Sequence, residues 1–232
     1  CREQGVEIVL NKEATAAEII EAVKAEEYDR VVLACGSVPI TPKFEIEGGA
    51  NVVQAWDVLE GKVEVGKEVV VIGGGAVGVE TAEYIGEIGT LTADELRFMM
   101  IFDAEPHDKI KYLLNHGSKK VSVVEMQPKF ATDINPGCRW SIMMRVRQLG
   151  IDLYSKSKVT AIKKDGVIIE NEDGEKFLPA DTMVLAVGAT PNNGMESELL
   201  NAGIVVDTIG DATTVGKIPD AIGAGYHLAA GI

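Results

Sequence analysis

Apolar residues along this chain of 232 residues come in short runs that alternate with segments of helical period. Residues 6–10 predict a strand. Thr15 is a good helix N-cap and Glu18, three positions on, completes a capping box, so a helix is expected from there to about Glu27. Residues 29–35 are apolar almost throughout and predict a second strand, which runs into a loop at 36–42 fixed by Pro39 and Pro42. Residues 51–53 read as a short extended piece, 55–59 as a short helix, and the polar, glycine-flanked stretch 61–66 as a crossing between domains. Residues 69–72 are four apolar, largely β-branched positions that predict a strand buried on both faces, and 76–86 have the period of a helix that packs on a sheet. Residues 121–125 predict the next strand. A helix follows at 135–149, with Pro136 in its first turn and Gly150 as its stop, and then a strand at 151–154. Stretches 158–163, 167–170 and 176–178, with Asp165-Gly166 and Asp173-Gly174 between them, predict a small antiparallel meander. A buried strand at 181–187 and a helix at about 220–230 complete the pattern. Strands alternating with helices imply an α/β fold with a parallel sheet.

The turn after Ile72 concentrates the chemistry. Gly73, Gly75 and Gly78 fill the first, third and sixth positions of G-x-G-x-x-G, between a predicted strand and a predicted helix. In that context Gly73 permits a tight turn, Gly75 admits a pyrophosphate to the backbone, and Gly78 lets helix and strand lie close. The free N–H groups of the helix N-terminus, from Gly74 through Ala76 and Val77, favour an anion. A dinucleotide fold also needs an acid at the end of its second strand for the adenosine ribose, and Glu125 ends the strand at 121–125. A carboxylate there accepts from both ribose hydroxyls and repels a 2′-phosphate, so NADH is expected in preference to NADPH. Glu125 lies further from the glycines than the usual ~20 residues. The excess is an insertion at 90–117 with two helical patterns, 92–104 carrying Leu96, Met99 and Met100, and 106–115 carrying Ile110, Leu113 and Leu114. It reads as a helical hairpin packed on the domain surface, with Pro106 in the first turn of the second helix.

Composition narrows the class. A formal net charge of −14 argues against a nucleic-acid surface or an anionic membrane as partner, and 46% hydrophobic residues suffice for a core. No apolar run is long enough to span a bilayer and no signal peptide is visible. Cys1, Cys35 and Cys138 have neither C-x-x-C nor metal spacing, and read as free thiols of a reducing, cytoplasmic compartment. His107, His116 and His227 are isolated and read as solvated or capping residues. No metal site and no acid–base catalyst is expected. The chain opens on Cys1 without a methionine and reads as a piece of a longer polypeptide.

Residues 31–39 and 184–191 share one plan, an apolar strand, then Gly36 or Gly188, small residues and a proline. Two such strand edges suggest two nucleotide domains. In the tail, an extended run leads to Ile209-Gly210-Asp211-Ala212 and then to the last helix. Together these features resemble the two-dinucleotide-domain flavoproteins, the family of glutathione and thioredoxin reductases. There an NAD(P) domain is inserted within an FAD domain. By that resemblance Asp211, with Gly210 and Ala212 around it, holds the flavin ribityl hydroxyls. Gly36 and Ser37 border FAD, Gly188 borders NAD, and Glu80 lies near the meeting of nicotinamide and flavin. The stretch 68–80, the helical insertion and the stretch 121–133 are closer to the C-terminal half of 2-enoate reductases, relatives of 2,4-dienoyl-CoA reductase and trimethylamine dehydrogenase. The resemblance implies an N-terminal barrel elsewhere with FMN and a 4Fe–4S cluster, where an activated C=C bond is reduced with electrons passed from NADH through FAD. The expected organisation is thus a Rossmann-like NAD domain at 61–189, with the insertion at 90–117, set into a partial FAD domain at 1–60 and 190–232. The first FAD fingerprint is not seen before Val6. The chain alone is therefore expected to bind NADH, to hold FAD weakly or not at all, and to reduce no enoate. Its partners would be NADH and the barrel; its oligomeric state is left open. Rival readings are a flavin disulfide reductase and a non-catalytic dinucleotide-sensing module on the same fold.

Overall fold

The computed structural model describes residues 2–231. In chain order the helices and strands are α1 (Ala16–Lys24), β1 (Val31–Leu33), β2 (Ser37–Pro39), β3 (Glu45–Ile46), β4 (Val52–Gln54), α2 (Ala55–Leu59), β5 (Glu68–Ile72), α3 (Ala76–Glu87), α4 (Ala93–Ile101), α5 (His107–Leu113), β6 (Lys120–Val124), α6 (Pro136–Gln148), β7 (Asp152–Tyr154), β8 (Lys158–Lys163), β9 (Gly166–Asn171), β10 (Gly174–Pro179), β11 (Thr182–Leu185), β12 (Ala189–Pro191), α7 (Gly194–Asn201), β13 (Val206–Thr208) and α8 (Ile218–Ala230). Two compact units result, Pro39–Gly188 and the flanking pair Cys1–Val38 with Ala189–Ile232.

The larger unit is built on a five-stranded, all-parallel sheet in the order β4-β11-β5-β6-β7. Side chains alternate across β5, so its two faces carry different neighbours. Val69 and Val71 join Val79, Ala82 and Ile85 of α3 and Met143 and Val146 of α6 in one core. Val70 and Ile72 face the other way, into a core with Val159, Ile162, Val167 and Ile169 of the meander. That is why β5 is β-branched throughout Val69–Ile72 and is buried at all four positions. The meander is antiparallel through β8, β9 and β10, and the short β3 adds to its open edge parallel to β8. Residues 39–60, expected with the first part of the other domain, lie in this unit. The physical reason is that β4 pairs with β11 and so closes the central sheet.

A polar knot ties the start of this sheet. The Asp181 carboxylate accepts from the N–H groups of Lys67 (2.7 Å) and Glu68 (3.1 Å) and from the Thr182 hydroxyl (3.0 Å). Gly66 N–H donates to the same hydroxyl, and a Cβ on Gly66 would stand 1.9 Å from Asp181 Oδ1. Partial burial opposes the charged form of Asp181, but the two backbone N–H donors prevail and hold its carboxyl below the usual range.

In the smaller unit β1 pairs in parallel with β13, with Ala16 of α1 and Leu199 of α7 packed on Val31 and Leu33. Arg30 forms an ion pair with Asp207 beside that pairing. The capping box of Thr15 and Glu18 is present. The predicted strand at 6–10 is not. No strand pairs with it among the described residues, and Val6, Ile8, Val9 and Leu10 are exposed. Apolar composition cannot make a strand without a ladder to join. The 90–117 insertion is helical as expected, but it packs less than its pattern implies. Only Ile110 is buried, Met100 is exposed, and Pro106 is the N-cap of α5 and not part of its first turn. Cys1 lies outside the described residues; Cys35 and Cys138 are exposed free thiols. No helix among the described residues is long and apolar enough to cross a membrane.

Two outcomes test this packing. A Cβ on Gly78 would stand 2.0 Å from the Gly73 carbonyl oxygen, so Gly78→Ala should cost stability by about 1–3 kcal/mol, more than the helix-propensity gain returns. A thermal midpoint equal to wild type would contradict it. Asp181→Asn should lower Tm by about 2–4 °C at pH 7. Because the folded-state pKa is depressed, the Asp181 contribution is present above the unfolded pKa and lost as pH falls through the folded one, so the gap between wild type and variant should close on acidification below about pH 4.

Candidate functional site

The C-terminal edge of the parallel sheet is where an open α/β sheet binds ligands. Here β5 ends and α3 begins within three residues. Gly73 has φ +105° and donates its N–H to Val124 O (2.9 Å). A Cβ on Gly73 would lie 2.3 Å from Ala186 O, so the turn is pressed against the backbone just after β11. Gly78 completes the packing of helix on strand. Gly75 differs from both. Its open side meets no backbone, only the Asp133 carboxylate, whose nearest oxygen is 3.5 Å from where a Cβ would stand.

The bare edge of Gly75 opens into a cavity of about 550 Å³, walled by Ile72, Gly73, Ala76, Val77, Val124, Glu125, Met126, Asp133, Lys158 and Gly188, and by Ile40 and Phe44. Glu125 is hydrogen-bonded at both carboxylate oxygens. Its Oε2 accepts from Gly74 N–H (2.6 Å) and its Oε1 from Gln127 N–H (2.7 Å). An ionised carboxylate has about four lone-pair sites, so acceptor capacity for a diol is left over. The Asp133 carboxylate accepts from Ala76 N–H through both oxygens, at 2.9 and 3.1 Å. The segment between these two acids is fastened to the glycine turn: Ala131 N–H donates to Gly74 O (2.7 Å), and a Cβ on Gly74 would strike the Phe130 ring.

These residues fit a dinucleotide. Gly75 is the cradle that a Cβ would narrow, the α3 N-terminus supplies donors and positive potential, and the Glu125 carboxylate lines the same cavity. Of the residues singled out from the sequence, Gly73, Gly75, Ala76, Val77, Glu125 and Gly188 line the cavity. Gly74 and Gly78 are buried beneath it. Glu80 is exposed on α3 and is not among the lining residues. Sequence reading missed Asp133, Lys158 and the apolar wall from Ile40 to Phe44. Asp133 lies 57 positions from the amide it binds, and no spacing rule connects them.

The smaller unit has its own cavity, about 340 Å³, lined by Ala34, Gly36, Gly210, Asp211, Lys217 and Ala221 among others. Gly36 has φ +73° and Gly210 φ +62°, conformations that favour glycine. Asp211 accepts from Gly216 N–H (3.1 Å) and, at 3.5 Å, from the Ser37 hydroxyl. A carboxylate at the cavity wall is of a kind to accept from hydroxyl groups. Ala212 is fully buried and Ser37 does not line the cavity. The histidines lie elsewhere: His116 stacks on Tyr112 with its Nδ1 2.9 Å from the Tyr112 carbonyl, and His227 sits edge-on to Tyr226.

Comparison with known proteins agrees with this architecture. Residues 1–218 match the family model described as pyridine nucleotide-disulphide oxidoreductase. A metal reductase of Desulforamulus reducens is 41% identical over 229 residues, 99% of this chain and 34% of that protein. A cinnamate reductase of Clostridium sporogenes is 30% identical over 234 residues, 100% of this chain and 30% of that protein. A solved 2-naphthoyl-CoA reductase in complex with 2-naphthoyl-CoA superposes with TM-score 0.77 at 28% identity, covering 100% of this chain and 30% of that one. The chain thus spans about a third of the length of these relatives. It belongs to the pyridine nucleotide-disulphide oxidoreductase family, and within it matches the FAD/NAD portion of 2-enoate reductase-like enzymes.

Proposed function

We propose that this chain is the dinucleotide-handling module of an NADH-dependent flavin oxidoreductase, with NADH on the larger unit and FAD on the smaller. The observation that carries the reading is the coincidence, in one cavity, of the open Gly75 cradle, the α3 N-terminus and the Glu125 carboxylate. When bound, the two cofactors supply hydride transfer from nicotinamide to flavin. The chain's own residues bind and orient. Gly75 and the amides of Ala76 and Val77 hold the pyrophosphate, Glu125 the adenosine ribose, and the apolar wall of Ile40, Phe44 and Val187 keeps water from the nicotinamide end. Gly188 lets the backbone come close to that end. On the smaller unit Asp211 holds the ribityl hydroxyls and Gly36 and Gly210 border the flavin. No side chain need act as an acid or base. In the full-length protein the electrons go on to an activated C=C bond of an enoate or enone in a separate barrel domain that carries FMN and a 4Fe–4S cluster. That last step is supported by likeness to cinnamate reductase, of which the chain covers 30%.

The reading favours NADH over NADPH, because Glu125 would face a 2′-phosphate with like charge. Glu125→Ala should weaken NADH binding by about 1–2 kcal/mol, read as a five- to thirtyfold rise in Kd. Glu125→Gln should weaken NADH less and narrow the discrimination against NADPH; an unchanged NADH Kd in both variants would remove Glu125 from the site. A second measurement separates the cofactors. In the full-length protein Asp211→Ala should lower the FAD content of the purified enzyme and leave NADH affinity in place, whereas Glu125→Ala should do the reverse. If NADH binds but never bleaches bound flavin under anaerobic conditions, the module senses dinucleotide and does not transfer hydride. The chain by itself should give no NADH-dependent reduction of cinnamate.

A further inference from the structure

The α3 N-terminus, which the proposed function gives to a pyrophosphate, already holds an anion of the chain's own. Both Asp133 oxygens accept from Ala76 N–H, at 2.9 and 3.1 Å. The same carboxylate is the group nearest the open side of Gly75, and it lines the cavity. Both observations put it at the position that the proposed function gives to a phosphate. A carboxylate gains there from the same free N–H groups and helix dipole that would hold a phosphate. It is also held in place. Ala131 N–H is bonded to Gly74 O (2.7 Å), Arg139 Nε donates to Phe130 O (2.8 Å), and Glu125 ties the other end of the segment to Gly74 N–H (2.6 Å). A tethered carboxylate competes at high effective concentration with any anion from solution.

We propose that Asp133 is a specificity-determining residue of the dinucleotide site: it occupies the anion position in the free chain, and a ligand binds only by displacing it. The proposal rests on the cavity being the NADH site. Its consequence is discrimination between classes of anion. Inorganic phosphate or pyrophosphate brings charge alone, meets a position already filled by like charge, and binds weakly. NADH brings two further anchors, ribose hydroxyls for Glu125 and a nicotinamide for the apolar wall, and these drive the carboxylate off Ala76 N–H. Part of the binding free energy of NADH is spent on that displacement, so wild-type affinity is lower than the contacts alone would give.

The test is calorimetric titration of NADH and, separately, of inorganic pyrophosphate into wild type, Asp133→Ala and Asp133→Asn. Removing the competitor should tighten NADH by about three- to tenfold and pyrophosphate by about tenfold, the exposed setting keeping both modest. Asp133→Asn retains an oxygen acceptor for Ala76 N–H without the charge, so it should fall between wild type and Asp133→Ala. Thermal melts report whether each variant folds. If neither does, hydrogen exchange on wild type decides: NADH should slow exchange at 76–79 and speed it at 131–135 as the segment is released. Weaker or unchanged binding of both ligands in the variants, or slower exchange at 131–135 with NADH, would mean that Asp133 is a plain helix cap and would overturn the proposal. Wild type that binds NADH while Asp133→Ala binds it no tighter defeats the displacement idea alone. Wild type that binds no NADH defeats the reading of the cavity, and the displacement idea with it.

Discussion

The contact on which the larger unit depends is one between backbones: the Gly78 Cα against the carbonyl of Gly73. No side-chain atom fits there, since a Cβ on Gly78 would come within 2.0 Å of that oxygen. Because the contact is so close, α3 starts directly over the end of β5 and its N-terminus faces the cavity. A second backbone approach, Gly73 against Ala186 O, holds the turn to β11. The rest of the unit is arranged to keep these contacts in register. The sheet is buried on both faces, by α3 and α6 on one side and by the meander on the other. Dense packing of this kind transmits small displacements, so the position of the donors is set by residues that never touch a ligand.

A second theme is how an acidic chain uses its carboxylates. The net charge is −14, yet the acids that shape the loops are bound to backbone amides. Asp181 ties the entry to β5, Glu125 the glycine turn, Asp133 the start of α3, and Asp211 the loop after Gly210. Hydrogen bonds to a charged acceptor are stronger than neutral ones, and a loop that cannot bury apolar surface is well served by them. Three of them also line cavities, Glu125 and Asp133 in the larger unit and Asp211 in the smaller. The groups that order the loops thus overlap with those that line the cavities, which is the physical basis for expecting competition between an internal carboxylate and an external anion.

Much of this was legible beforehand, where local rules suffice. The β5–turn–α3 motif, the Thr15–Glu18 capping box, the α6 boundaries at Asn135 and Gly150 and the hairpin glycines of the meander all obey short-range sterics and hydrogen bonding, and the structure has them where the residues imply. The internal echo also has a structural counterpart, since β2 and β12, the two strands after Gly36 and Gly188, pair with each other. Readings that needed a partner fared worse. The apolar stretch at 6–10 has strand composition but no ladder to enter, and Met100 has a helical-face pattern with no core to meet. β3 is not legible in the sequence because two residues carry no period, and only the free edge of β8 makes them a strand.

The residues by themselves determined the α/β alternation, the glycine turn with the acid that follows it, and the kinship these imply, because each depends on conformational limits within a few residues of chain. Tertiary structure alone decided that 39–60 belong with the central sheet and that Asp133 sits on the amide of Ala76. It alone decided too that Gly73 and Gly75 of the motif line the cavity while Gly78 is buried. Those facts depend on groups far apart in sequence being brought to one place. Periodicity says which way a side chain points, and only the completed packing says what it meets there.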